Sequence, residues 1–481
     1  MTDELAILDA AAQAELVRRG ELTPHELVEA ALRRIERLDP VLNAVATLLA
    51  DKALDEARSP HLPTGPFRGV PLLLKDFFCH TAGDPYYEGA RFLRDLGWRE
   101  QQDTHLAARF RAAGFVILGK TNLPELAVGA SPDTAGDFAR TNNPWDLDRS
   151  PGGSSSGSAA AVAAGLVPLA HGNDGTGSLR IPAAACGLVG LKPSRGRVSA
   201  GPGRVPGLLG NICEHVLTRT VRDSAAVLDA VCGPMPGDLY AAPSPARLFL
   251  QELGRDPGHL RVGLLVEDVF LGNSIHPECI RAARRTAEAL EAMGHHVEES
   301  YPTALTGATG LGPPLRVAQA SSLAAGLDAW GERIGRPLTP DDVSPRVWRH
   351  AELGRSYTAV DVHRAVARLA AGVLRAPEWW AGGFDLLVSP AVQQPPPTWS
   401  QVAGGDEAAI WGLFTMPFSL TGQPALSLPL HWTADGLPVG VQLVADYGRE
   451  DLLLRVAARL EEALPWRDRR PPIFAGGSPP P

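Results

Sequence analysis

Residues 150–165 read SPGGSSSGSAAAVAAG. A run of glycine and serine is the usual composition of a flexible linker. Here three consecutive serines lead straight into an alanine tract, a strong helix former, and then into the apolar run LVPLAHG at 166–172. Helix former followed by strand former makes an ordered α/β unit, so the serines read as a helix N-terminus rather than a linker.

Working outward, short apolar runs bounded by glycine or proline repeat along the chain. They are GVPLLLK (69–75), FVILGK (115–120), LRVGLLV (260–266), FDLLVSP (384–390), ALSLPL (425–430) and VGVQLVA (439–445), with the strand HHVEE at 295–299. Runs of this kind are buried strands. Helical periodicity lies between them, in DTHLAARFRAAG (103–114), CIRAARRTAEALEAMG (279–294) and REDLLLRVAARLEEAL (449–464). Thr23-Pro24-His25-Glu26 is a capping box opening another helix. The expected fold is one α/β domain spanning 1–481, a central mixed sheet covered by helices on both faces. The proline-rich end, 473–481, is expected to be a disordered tail.

Composition excludes several functions. The 481 residues are 44% hydrophobic with a net charge of −9, which disfavours a nucleic-acid partner. No apolar run is long enough to span a membrane. The start, MTDELAILDAAAQ, lacks the basic region of a secretion signal. Cys79, Cys186, Cys213, Cys232 and Cys279 are odd in number and never spaced as CxxC. Reduced thiols in a cytoplasm are therefore expected, with no zinc site, metal or cofactor.

Two loops carry chemistry-bearing residues. In HGNDGTGSLRIPAA (171–184), Gly172, Gly175 and Gly177 precede Ser178. Such a loop can aim several backbone N–H groups at one point, an anion or oxyanion pocket. The dinucleotide and phosphate-loop patterns GxGxxG and GxxxxGK[ST] are absent, as is GxSxG. Lys75 closes an apolar run, so it either reaches solvent beside Asp76 or is buried neutral or paired. With no histidine in a nucleophile motif, lysine is the remaining base for a serine, since burial favours its neutral form.

The segments GVPLLLKD, LGKTNLPELA, TNNPWDLDRSPGGSSSGSAAAVAAG, GNDGTGSLRIPAAACGLVGLKPSRGRVS and GQPALSLPL resemble the amidase signature family of serine hydrolases. That resemblance implies a signature core at about 69–200 and a variable substrate-pocket region at about 300–410. It implies Ser178 as nucleophile, Ser154 as bridging serine after a cis peptide bond, and Lys75 as base. The amides of Gly175, Thr176, Gly177 and Ser178 become the expected oxyanion hole. Ser155 and Asp174 are expected to orient the site, with Arg180 pinning the loop through Asp174. Gly129, Ala130 and Ser131, in the stretch 129–133, and residues 411–418 are expected to line the pocket. Trp330, Trp379 and Trp380, in the least family-like stretch, read either as aromatics at the substrate entrance or, the favoured reading, as core or surface aromatics.

Two positions depart from the family pattern: Ser156 and Thr176 stand where glycines are usual. Within the family, AHGND, IGRPLTPDDV and YGREDLLL resemble the subgroup acting on nylon oligomers. The expected partner is a small amide, such as a linear or cyclic aminohexanoate, with a homodimer as the expected assembly. A glutamine-dependent amidotransferase subunit, a carbamate or ester hydrolase, and a non-catalytic amidase-like binding protein remain alternatives. Intact Lys75, Ser154 and Ser178 argue against the last.

Overall fold

Lys75 lies in the interior half of one sheet of eleven strands. The computed structural model describes residues 4–129, 140–204, 207–269, 274–306, 311–403 and 412–476. The strands are β1 (Val45–Leu48), β2 (Pro71–Lys75), β3 (Val116–Thr121), β4 (Leu169–Asp174), β5 (Val189–Lys192) and β6 (Cys213–Thr218). They continue with β7 (Arg261–Leu264), β8 (His296–Glu299), β9 (Leu386–Pro390), β10 (Ala425–Trp432) and β11 (Pro438–Ala445). Their spatial order is β1-β3-β2-β4-β6-β5-β10-β11-β9-β7-β8. β2 runs parallel to β3 and β4, whereas β4 meets β6 antiparallel, so the sheet is mixed.

The apolar runs are continuous because both faces are covered. Along β2, Leu72 and Leu74 face one core with Leu169, Val216 and Phe110, while Leu73 faces another with Ala170 and Leu217. Helices His105–Ala112, Val221–Val231, Pro277–Ala292 and Glu450–Ala463 cover the first face. Helices Pro24–Leu42, Ser156–Ala163 and Arg180–Cys186 cover the second. Farther along that second face, Leu387, Ala425 and Val444 pack with Leu315, Phe414 and Phe418. The alanine helix fits because it is pressed onto the chain beneath. A Cβ at Gly157 would collide with the Ala44 carbonyl and the Asn122 backbone.

Several details differ from the sequence reading. β1, β5 and β6 carry too many small or polar residues to stand out as apolar runs. The helix capped by Thr23 runs through Pro40 and ends where Asn43 adopts a left-handed conformation. The tail expected to be disordered from 473 is instead packed as far as Ala475. Ile473, Phe474 and Ala475 are buried, and Ala475 N donates to the Ala164 carbonyl at 2.8 Å. Phe474 lies against Gly165, so its apolar area outweighs the loop-like composition around it. Residues 477–481 lie outside the described residues. Trp330 and Trp380 are core residues. Among the described residues, no helix is long and apolar enough to cross a membrane.

Candidate active site

The strand ends bring the two loops together. Lys75 ends β2 and Asp174 ends β4, its neighbour, while Ser154 and Ser155 precede the Ser156–Ala163 helix. Lys75 is fully buried, so the solvent-reaching alternative is ruled out. Its Nζ donates to Ser154 Oγ at 2.8 Å and to Asn173 Oδ1 at 2.6 Å. Ser154 Oγ donates to Ser178 Oγ at 3.1 Å. The Gly153–Ser154 peptide bond is cis. Burial pulls the Lys75 pKa down to about 7, against the opposing pull of Glu214 and Asp174. A lysine in this state takes and returns a proton near neutrality.

The loop before Ser178 is turned inside out. Its carbonyls are held from behind: Asn211 Nδ2 donates to Gly175 O at 2.5 Å, Thr415 Oγ1 to Thr176 O at 2.6 Å, and Ile181 N to Gly177 O at 2.7 Å. The amides of Gly175, Thr176, Gly177 and Ser178 have no acceptor among the described residues. Preorganised donors without an acceptor are what a developing oxyanion requires. Gly177 has φ +137°, a conformation that side chains disfavour, and a Cβ there would collide with Thr415. Thr176 has no such constraint, since its φ is negative, so the loop accepts a side chain where a glycine is usual.

Asp174 and Arg180 anchor this loop from within. Both are fully buried, and Arg180 Nε and Nη2 donate to Asp174 at 2.9 and 2.8 Å. Arg180 also donates to Thr415 O, Gln442 Oε1 and Ser419 Oγ. Burial alone would raise the Asp174 carboxyl, but the Arg180 guanidinium outweighs it and holds the pKa below the ordinary carboxylate value. The carboxylate further accepts from Leu179 N and Arg180 N, closing the turn.

The remaining expected residues lie as follows. Ser155 Oγ donates to the Asn173 carbonyl at 3.4 Å, so its hydroxyl ties the residue after Ser154 to Asn173, whose side chain holds Lys75. Ser156 Oγ donates to Asn122 O at 3.5 Å, packing the helix onto the sheet. Gly129 lies against the Arg346 guanidinium. Ala130, Ser131 and the rest of 130–133 lie outside the described residues, as does Trp411. Sequence reading missed Asn173, although it stands inside the quoted loop, and it missed Asn211, Ser419 and Gln442; Thr415 lies in the stretch 411–418 expected at the pocket, where its hydroxyl holds the amide loop. No local pattern marks Asn211, Ser419 or Gln442, which reach the loop from distant parts of the chain.

The family pattern described as Amidase matches residues 26–454. The chain belongs to the amidase signature family. This amidase is 44% identical to 6-aminohexanoate-cyclic-dimer hydrolase of a Pseudomonas species, over 97% of each chain. It is equally similar to the hydrolase of that name from Paenarthrobacter ureafaciens, 44% identical over 97% of each chain. The solved structure of 6-aminohexanoate cyclic dimer hydrolase complexed with substrate matches it with a TM-score of 0.92 at 43% identity, covering 98% of this chain and 99% of that one. The amidase fold described above is therefore shared over nearly the whole length, and the chain is an enzyme of amide carbon–nitrogen bonds.

Proposed function

We propose that the chain hydrolyses small amides through an acyl-enzyme formed on Ser178, with Ser154 as proton relay and Lys75 as base. One observation carries the reading: Lys75 Nζ, Ser154 Oγ and Ser178 Oγ form an unbroken hydrogen-bonded chain that ends beside four unpaired amides. Hydroxyl hydrogens rotate, so the direction of the chain follows the charge of Lys75. When Lys75 is neutral, an N–H can stay on Asn173 Oδ1 while its lone pair accepts from Ser154. Ser154 can then accept from Ser178.

The steps follow. Ser178 Oγ bonds to the amide carbon as its proton passes to Ser154 and the Ser154 proton passes to Lys75. The former carbonyl oxygen, now negative, sits among the amides of 175–178. The carbon–nitrogen bond breaks as Lys75 returns a proton through Ser154 to the departing nitrogen. Water repeats the sequence on the ester, giving acid and free Ser178.

The substrate we propose is an aminohexanoate-type amide, because the relatives named above act on such a compound and match the chain end to end. We further propose a cytoplasmic enzyme, as five free thiols suggest, assembling as a homodimer. The test is a screen of the purified chain on cyclic and linear aminohexanoate oligomers, aryl amides, carbamates, esters and glutamine. Ring opening of the cyclic dimer, absent in Ser178→Ala, is the expected result. Glutamine turnover that needs an added partner subunit would instead assign it to the amidotransferases.

A further inference from the structure

His171 and Glu214 belong neither to the relay nor to the amide loop, yet His171 contacts the lysine that drives the relay, and Glu214 holds His171. The β2–β4 ladder pairs Leu72 with Leu169 and Leu73 with Ala170 and goes no further. Beyond it the His171 ring takes over, its Nδ1 accepting the main-chain N–H of Lys75 at 3.2 Å. Nε2 therefore carries the ring proton and meets Glu214 Oε2 at 2.7 Å. The imidazole is fully buried and packs edge-on against Phe110, on the face opposite the serine helix. Burial holds its pKa below the ordinary histidine value even against the hydrogen bond it donates to Glu214, and with Nδ1 accepting from Lys75 the ring is neutral.

The consequence is an uncancelled charge. Asp174, the other carboxylate acting on Lys75, is matched by the Arg180 guanidinium. Glu214 is nearly buried, and the neutral His171 is the hydrogen-bond partner of its side chain among the described residues. The other ionisable groups nearby are accounted for. Asp76 faces Lys120 of β3, Cys79 is pushed up to about 12 by burial, Lys192 of β5 bears on Asp174, and burial takes His215 of β6 down to about 3.

We propose that His171 and Glu214 are a positioning pair that sets the protonation of Lys75, the ring fixing the lysine main chain while keeping the carboxylate close but out of contact. The inference rests on Lys75 being the base. A carboxylate touching the amine would pin it as ammonium and remove the base. With no carboxylate charge nearby, burial would strip the proton too readily, and the cation that protonates the departing amine would be lost. A group that must both accept and return a proton works best with its pKa near the working pH.

The experiment is the pH dependence of kcat/KM for wild type, Glu214→Gln, Glu214→Ala and Glu214→Asp. Removing the negative charge makes Lys75 easier to deprotonate, so the acid limb moves to lower pH, by about one unit in both charge-free variants. Glu214→Asp, which keeps the charge, leaves the limb near its wild-type place. If Glu214→Gln does not fold, Glu214→Ala reads the same sign. An acid limb that stays put in the charge-free variants, whatever happens to kcat, overturns the pair's role. A wild-type profile with no limb near neutrality overturns the assignment of Lys75 itself, and the inference with it.

Discussion

Lys75 and Arg180 are two fully buried cations at the ends of neighbouring segments, and their surroundings are opposite. Arg180 has a carboxylate on two of its nitrogens and further oxygens from Thr415, Gln442 and Ser419. Lys75 has two neutral acceptors and no carboxylate in contact. A saturated, matched cation is scaffolding: it holds the amide loop in one shape. An undersupplied one is reactive, because the low-dielectric site leaves it close to losing its proton. The same degree of burial thus yields a fixed charge in one place and a variable charge in the other.

The comparison breaks most readily at the nucleophile. Ser178→Ala removes the atom that forms the acyl-enzyme, so hydrolysis should vanish while the folded state persists. The check is turnover together with a thermal melt. Labelling of the wild type by a sulfonyl fluoride at Ser154 or Ser156, rather than Ser178, would reassign the nucleophile.

Next come the two cations themselves. Arg180→Met leaves Asp174 buried without its partner, which should cost about 3–5 kcal/mol of stability. Lys75→Met should abolish activity yet raise Tm at pH 7, by about 1 kcal/mol in stability, since it relieves the burial of a charge. A lowered melting temperature in Lys75→Met would erase the distinction drawn here.

pH sharpens it further. Below about 7 Lys75 is protonated and cannot act as base, so kcat/KM should rise through that value and level off above it. Stability follows the same proton. In the unfolded chain lysine keeps its proton to its ordinary, higher pKa, so between about 7 and that value the unfolded state binds more protons. The stability cost of burying Lys75 should therefore shrink as pH rises across this window, and denaturant midpoints in wild type and Lys75→Met should converge. The smallest effect is expected at Ser155→Ala, whose long contact to a main-chain carbonyl implies less than about a tenfold loss of kcat/KM, roughly 1.4 kcal/mol.

What could be read in advance divides along physical lines. The strand bearing Lys75 was legible because both faces of the sheet are buried and its residues are apolar up to the lysine, whereas β4 was legible only as far as Gly172, because Asn173 and Asp174 are polar and read as loop. The serine helix was legible because small residues press it against the chain beneath. β6 was not, since Cys213, Glu214 and His215 break the apolar run, and that is where the Glu214 charge resides. The grip on the amide loop was also invisible. Thr415 and Gln442 meet it from 239 and 262 residues away, and no periodicity connects positions so far apart. The tail was misread because proline and glycine composition concealed Phe474, one aromatic with a place to pack.

The central claim is that Ser154 relays the proton between Ser178 and Lys75. It is tested most directly by kcat/KM of wild type and Ser154→Ala on a matched anilide and nitrophenyl ester. A well-placed acid–base group contributes about 10²–10⁴-fold, so the anilide should lose at least that much. The ester should lose less, because its phenolate departs without needing a proton. Equal losses on the two substrates, or a small loss on both, would contradict the relay.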